Sequence, residues 1–92
     1  MIDVKYGERF LKDLKVLKST PVFDKIHQLC FEELPNYQDT REIKNLKKIQ
    51  GYEEFYRIKL GDYRVGLRIE NNTLFLMRVL HRKEIYHYFP KK

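Results

Sequence analysis

The chain has 92 residues, of which 42% are hydrophobic and 35% are charged, and its formal net charge is +6 at pH 7. This composition is typical of one small globular domain and excludes a disordered chain, and no apolar run approaches the roughly 20 residues of a membrane helix. The N-terminus has no basic segment followed by an apolar stretch. We therefore expect no signal peptide, no membrane contact, a cytoplasmic protein and a single domain over residues 1–92.

The positive charge is concentrated in the second half of the chain. Residues 1–42 contain seven Lys and Arg against eight Asp and Glu, whereas residues 43–92 contain twelve against five. A basic face attracts polyanions, and nucleic acid is the first candidate. By charge alone, a solvated basic surface with no ligand remains an alternative.

The first half of the chain predicts one strand and two helices. Alternating apolar residues predict a short strand over residues 2–6, and apolar residues at helical spacing predict a helix over residues 8–18. A second helix is expected over residues 21–33, with Thr20 as its cap. Cys30, the single cysteine, is expected to be a small core residue of this helix rather than a nucleophile.

From residue 46 onward the apolar pattern has the period of a strand. The predicted strands cover residues 46–49, 54–60, 63–70 and 73–80. Gly61-Asp62 and Asn71-Asn72 are expected to form tight turns between them. The tail is expected to contain one helical turn that ends at Pro90. The sum is a small α+β domain with two N-terminal helices packed on an antiparallel sheet.

A two-residue turn at Gly61-Asp62 would give the surrounding hairpin one cationic face. It would place Lys59 opposite Arg64, and like charges in that position cost some tenths of a kcal/mol. The residues expected on this face are Phe55, Arg57, Lys59, Arg64, Gly66 and Arg68. Since Gly66 has no side chain, it leaves room for something to approach the backbone. With Arg82 arriving at the end of another strand, the cluster predicts a phosphate site.

The tail contains side chains that can transfer protons or stack on a base. His81, Arg82, Tyr86, His87 and Tyr88 follow one another closely after the last predicted strand. Imidazole can act as an acid or a base near neutral pH, and tyrosine can stack on a nucleotide. Taken singly, each is more often structural than catalytic. No cysteine pair or histidine–carboxylate spacing suggests a metal site, and no cofactor is expected.

The segment "YRIKLGDYRVGLRIENNTLFLMRVLHRKEIY" resembles the C-terminal half of the RelE/ParE superfamily of bacterial type II toxin–antitoxin toxins. The G-D-Y-R and H-R-K-E-I-Y parts carry most of the resemblance. It implies the RelE-like fold and, in the RelE branch, an mRNA endonuclease (an mRNA interferase) that works in the ribosomal A site. Such toxins use no metal: the 2′-hydroxyl attacks the adjacent phosphate and leaves a cyclic phosphate and a 5′-hydroxyl.

The resemblance also implies roles for individual residues. Lys59 matches a lysine that acts as base or phosphate clamp, Arg64 an arginine that grips the phosphate, and Arg82 an arginine that stabilises the transition state. Tyr86 matches a tyrosine that stacks on or orients the nucleotide. His81 is the other candidate proton carrier, and Lys59 and His81 remain alternatives. The residues expected to contact RNA around them are Phe55, Arg57, Arg68 and Lys83.

Two other functions are compatible with the same fold. One is a ParE-like toxin that binds DNA gyrase without cutting RNA, and the other is a non-catalytic nucleic-acid or ribosome binder. The complete Lys-Arg-Arg-Tyr set favours cleavage, because ParE-type chains typically lack it. The expected partners are mRNA on the ribosome and a cognate antitoxin that masks the basic face or displaces the C-terminal segment. An acidic amphipathic helix would be a suitable mask.

Overall fold

The structure, a computed structural model, describes residues 1–90. The elements are β1 Asp3–Tyr6, α1 Glu8–Val16, α2 Phe23–Gln28, β2 Leu46–Lys48, β3 Phe55–Leu60, β4 Tyr63–Glu70, β5 Thr73–His81 and α3 Ile85–Tyr88. The prediction of a small α+β fold is confirmed. Within these residues, no helix has the length and apolar character needed to cross a bilayer.

The five strands form one mixed sheet in the order β1-β5-β4-β3-β2. The pairs among β2, β3, β4 and β5 are antiparallel, but β1 lies parallel to β5, with Val4 opposite Leu74. The prediction of a wholly antiparallel sheet is therefore wrong for β1. Alternation identifies a strand but not its partner, and here the first strand pairs with the last.

Thr20 does not cap the second helix as predicted. Its hydroxyl donates to the carbonyl of Leu17 at 2.7 Å and so completes the end of α1. The residue before α2 is Val22, which makes no side-chain capping bond. A threonine next to a helix end can serve either neighbour, and here both its hydroxyl and its own N–H, the latter at 2.9 Å, donate to the Leu17 carbonyl at the end of α1.

The second helical segment is less regular than predicted. α2 continues directly into a π-helical turn at Leu29–Glu33 and then a 3-10 turn at Leu34–Asn36. Within the π turn, the carbonyl of Cys30 accepts a hydrogen bond from the hydroxyl of Tyr6 at 2.7 Å. Cys30 is fully buried, as expected. Burial raises the pKa of its thiol to about 12, and the charge of Glu33 adds to the effect.

The main core lies between the helical segments and one face of the sheet. Its most buried members include Phe10, Ile26, Leu34, Ile58, Val65, Leu67 and Leu76. Ile85 and Phe89 in the C-terminal segment are also buried but do not belong to this cluster. The C-terminal segment therefore makes a separate apolar contact, and its position bears on the functional site.

Candidate functional site

The β3–β4 hairpin has the predicted register. Gly61 has a φ of +60°, which a turn of this kind requires, and Lys59 lies opposite Arg64. Arg57 lies opposite Gly66 on the same face. Strand alternation therefore places Arg57, Lys59 and Arg64 together on the side of the sheet opposite the main core.

The edge strand β2 adds a cation that was not singled out from the sequence. Lys47 lies opposite Arg57 across the β2–β3 pair. We call the surface formed by Lys47, Arg57, Lys59, Arg64 and Arg68 the cationic face. The short strand was expected, but its alternation could not identify Lys47 as a neighbour of Arg57 until the pairing partner of β2 was known.

Four of the five members of the cationic face have no carboxylate partner within residues 1–90, and one of them is Lys47 on the edge strand. Arg57 donates to the carbonyl of Asn45 at 2.9 Å. Arg64 donates to the carbonyl of Gly61 at 2.8 Å, and Lys59 is exposed. Carbonyl oxygens orient a guanidinium group without neutralising it. These four charges therefore remain available to a phosphate.

Arg68 differs from them because its charge is already compensated. Its guanidinium lies 2.6 Å from the carboxylate of Glu70 and 4.1 Å above the centre of the Phe75 ring. Phe55 lies opposite Arg68 in the β3–β4 register. Arg68 and Phe55 thus share the cationic face as predicted, but Arg68 is engaged with neighbouring side chains.

Arg82 and Lys83 follow β5 and lie beside the hairpin turn. The backbone N–H of Arg82 donates to the carbonyl of Asp62 at 2.7 Å, and its Nε lies 3.4 Å from the Asp62 carboxylate. The Arg82 side chain remains 54% exposed. This brings a second arginine to the end of the hairpin where Lys59 and Arg64 face each other. Lys83 is exposed in the same turn.

The two candidate proton carriers lie on different faces of the sheet. His81 is paired with Tyr63, their ring centres are 5.4 Å apart, and alternation places both on the face opposite Arg64. The Nδ1 of His81 accepts a hydrogen bond from the backbone N–H of Lys83 at 3.1 Å. His81 is thus held in the turn after β5, while Lys59 lies beside Arg64.

Tyr86 lies in α3 with 55% of its surface exposed. It lines an open groove of about 330 Å³ together with Lys47, Lys48, Ile49, Gln50 and Arg57. The groove therefore combines an aromatic ring with several cations. This combination is typical of sites that bind a single-stranded nucleotide.

The space above Gly66 is filled by the chain itself. A Cβ atom built on Gly66 would lie 2.6 Å from the nearest ring atom of Phe89. The expected approach to the backbone of Gly66 is therefore made by Phe89.

Arg78 is on the cationic side of the sheet, opposite Gly66, but it has a structural partner. Its guanidinium donates to the carboxylate of Asp13 at 2.7 and 3.1 Å, and the same carboxylate accepts from the N–H of Val79 at 3.1 Å. The hydrogen bonds that Arg78 donates to Asp13 raise the pKa of Arg78, against a smaller opposing effect of burial. This pair fastens α1 to β5 and leaves Arg78 little capacity for an external anion.

No group of three or more His, Cys, Asp or Glu within residues 1–90 is arranged to hold a metal ion. The groups that the arrangement does bring together are fixed cations, aromatic rings and the two candidate proton carriers.

Comparison with known proteins gives matches over nearly the whole chain. The model of the family described as the ParE toxin of the type II toxin-antitoxin system parDE matches residues 4–86. Toxin RelE3 of Methanocaldococcus jannaschii is 41% identical over 88 residues, which cover 95% of this chain and 98% of that protein.

Solved structures agree with the fold. A chain in the crystal structure of the RelB-RelE antitoxin-toxin complex from Methanococcus jannaschii matches with a TM-score of 0.73 and 39% identity, covering 94% of this chain and 99% of that one. A chain of the RelBE2 complex from Mycobacterium tuberculosis matches with a TM-score of 0.68 and 22% identity, covering 88% and 98%. A chain of the DinJ-YafQ complex from E. coli has a TM-score of 0.72 at 16% identity, covering 94% and 99%. The last two support the fold alone.

Proposed function

This chain belongs to the RelE/ParE family of toxins of type II toxin–antitoxin systems, and from that membership we propose that it is a ribosome-dependent mRNA endonuclease. The relative at 41% identity is archaeal, so the likeness is not confined to bacterial toxins. We infer that residues 1–92 act as one toxin domain. Its substrate, mRNA under translation, would place it in the cytoplasm.

The observation that carries the proposal is the group of three cations at one end of the β3–β4 hairpin, two of which have no carboxylate partner within residues 1–90. Lys59 and Arg64 are directly opposed, and Arg82 reaches the adjacent turn. A phosphate in transfer accumulates negative charge on its oxygens, and fixed cations stabilise that charge without reorganising. In the free protein these like charges repel one another. A bound phosphate attracts each of them and so offsets the repulsion.

In the proposed reaction the 2′-oxygen of one nucleotide attacks the adjacent phosphorus and the bond to the 5′-oxygen breaks. The products are a 2′,3′-cyclic phosphate and a 5′-hydroxyl, and no water is consumed. The 2′-hydroxyl loses a proton and the 5′-oxygen gains one. A lysine accepts a proton only as the neutral amine. We assign the proton acceptor to this form of Lys59 rather than to His81, because Lys59 shares the face of Arg64. Arg64 and Arg82 hold the charged oxygens, and Tyr86 stacks on the nucleotide.

A cognate antitoxin is the second proposed partner. The solved relatives include toxins in complex with their antitoxins. The cations of the exposed face would attract an acidic segment of such a partner by the same charge that attracts RNA.

The family model that matches this chain is named for ParE toxins, which makes gyrase binding the alternative function. The two differ in whether mRNA is cut. We would compare a ribosome-bound model mRNA with the same mRNA carrying a single 2′-deoxy nucleotide at the cleaved position. The proposal predicts that only the all-ribose mRNA is cut, leaving a cyclic phosphate and a 5′-hydroxyl. If neither mRNA is cut and the protein inhibits DNA supercoiling by gyrase, the ParE-like function replaces the proposed nuclease function.

A further inference from the structure

The C-terminal segment contacts the cationic side of the sheet through the buried ring of Phe89 and through the exposed ring of Tyr88, whose centre lies 5.5 Å from the Arg78 guanidinium. Phe89 is 1% exposed although it lies outside the main core cluster. Its ring meets the ring of Phe55 edge to face, with centres 5.5 Å apart. Ile85, at the start of α3, is fully buried.

The absence of a side chain at Gly66 makes this contact possible. A Cβ at Gly66 would lie 2.6 to 2.8 Å from three ring atoms of Phe89, which is closer than any real Cβ contact. Gly66 has no positive φ, so its backbone could accept another residue. Glycine is therefore required here for the approach of Phe89 and not for the conformation of β4.

Phe89 and Tyr86 are parts of the same helical turn. α3 has four residues, and the N–H of Phe89 donates to the carbonyl of Ile85 at 2.8 Å. Such a short helix is not stable by itself, because nucleation costs more than its few hydrogen bonds return. Its position must come from packing, and Tyr86, being 55% exposed, contributes little of that packing.

We propose that Phe89 is a positioning residue of the RNA site: seated on Gly66, it holds Tyr86 beside Arg57 so that a single-stranded nucleotide binds between them. The base of this nucleotide stacks on Tyr86, and its phosphate is held by Arg57 and Lys47, which line the same groove. The inference rests on the proposed function only in naming RNA as the ligand. The mechanical link between Phe89 and Tyr86 is independent of cleavage.

The link can be measured without any ligand. The chain has no tryptophan, so Tyr86→Trp introduces a single tryptophan in α3 that can be excited separately from the tyrosines. In this background we expect Phe89→Ala and Gly66→Ala to increase the fast local motion seen in time-resolved anisotropy. Leu34→Ala, which truncates a fully buried residue of the main core, should leave that motion unchanged in the folded protein. Unchanged motion in both Phe89→Ala and Gly66→Ala would overturn the proposal.

The consequence for RNA is measured by anisotropy of a short fluorescein-labelled RNA with 2′-O-methyl riboses, which cannot be cut by a 2′-oxygen. Loss of one base stack weakens binding about 5- to 150-fold. We expect Tyr86→Ala and Phe89→Ala each to do so, and the double variant to bind no more weakly than Tyr86→Ala. Phe89→Leu, which keeps an apolar anchor, should recover part of the affinity.

Additive losses in the double variant would overturn the proposal, because Phe89 would then act separately from Tyr86. If the wild-type protein does not bind this RNA, RNA is excluded as the ligand of the groove. A wild-type protein that binds the RNA but leaves ribosome-bound mRNA intact would contradict the nuclease function, while the coupling between Phe89 and Tyr86 would stand. The two failures are therefore distinguishable.

Discussion

Lys59 and Arg64 lie directly opposite each other in the β3–β4 hairpin, one position before the pair that closes the turn. Neither has a carboxylate partner within the part of the chain that the structure describes. Opposed like charges on adjacent strands destabilise a hairpin by some tenths of a kcal/mol. The arrangement therefore sacrifices stability at the place where we propose that the phosphate binds.

Replacing Lys59 should separate stability from activity. Lys59→Thr removes the repulsion and introduces a β-branched residue, so we expect the free energy of unfolding to rise by a few tenths of a kcal/mol. Cleavage of ribosome-bound mRNA should fall about 100-fold or more. Urea unfolding and a cleavage assay on the same preparation measure both. Normal cleavage by the Lys59→Thr protein would show that Lys59 has no part in the reaction.

Arg82 should be needed for the reaction and not for the fold. Its contact with Asp62 is an exposed ion pair, which contributes little stability. Arg82→Ala should therefore unfold at nearly the wild-type urea concentration and lose about 100-fold or more in cleavage. Arg41→Ala is the matched control, because Arg41 is also exposed and paired with an aspartate, in a different part of the chain. Equal activity in the two variants would refute the role of Arg82.

His81 should be dispensable for proton transfer. His81→Gln keeps a side-chain acceptor for the N–H of Lys83 and removes the imidazole. We expect cleavage to remain close to wild type with an unchanged pH profile. A loss of about 100-fold, together with the disappearance of one limb of the pH profile, would assign the proton carrier to His81 instead.

Asp13 should be important for stability. Its carboxylate is 12% exposed and binds Arg78, itself 16% exposed, as well as the N–H of Val79. Asp13→Ala leaves a partly buried guanidinium and a backbone donor without partners, so we expect a loss of about 2 to 4 kcal/mol in the free energy of unfolding. Urea unfolding measures it, with Asp3→Ala as control because the Asp3–Lys5 pair is exposed. Similar losses in the two variants would show that the Asp13–Arg78 pair contributes no more to the free energy of unfolding than an exposed ion pair does.

Cys30 should be unreactive in the folded protein. Burial, helped by the charge of Glu33, raises the pKa of its thiol from 9.0 to about 12. The thiolate is the reactive form, so iodoacetamide should modify Cys30 only after unfolding in urea. Modification of the native protein at the rate of a free thiol would contradict the buried position.

The same shift predicts how stability changes in alkali. Above pH 9 the unfolded chain loses the Cys30 proton while the folded chain keeps it, so the unfolded state binds fewer protons and the free energy of unfolding falls as pH rises towards 12. Urea unfolding on either side of pH 9 should show this decline. Cys30→Ala should reduce its slope, and an unchanged slope would exclude Cys30 as a contributor.

The hairpin could be predicted in detail from the sequence because its determinants are local. Alternating residues and the Gly61-Asp62 turn specify which side chain faces which, and the observed register agrees. The prediction that Thr20 caps the second helix was wrong, although a helix cap is also a local feature. The Thr20 hydroxyl could bond to either neighbouring helix, and it donates to the carbonyl of Leu17 at the end of α1.

Features that depend on distant parts of the chain could not be predicted. The parallel pairing of β1 with β5 and the position of Lys47 beside Arg57 follow from which strands become neighbours. The contact of Phe89 with Gly66 joins residues on separate elements, so the sequence indicated only that space was available there. Alternation along β5 places His81 away from Lys59, but this could be inferred only after the register with Tyr63 was known.

The most direct test of the account is to map the 5′ ends of an mRNA translated in a reconstituted system containing the purified protein. We predict cuts within the codon in the ribosomal A site, none in the same mRNA without ribosomes, and none with Arg64→Ala or Arg82→Ala. Arg41→Ala should cut as the wild type does. Intact mRNA with the folded wild-type protein under every condition would contradict the nuclease function of the cationic face.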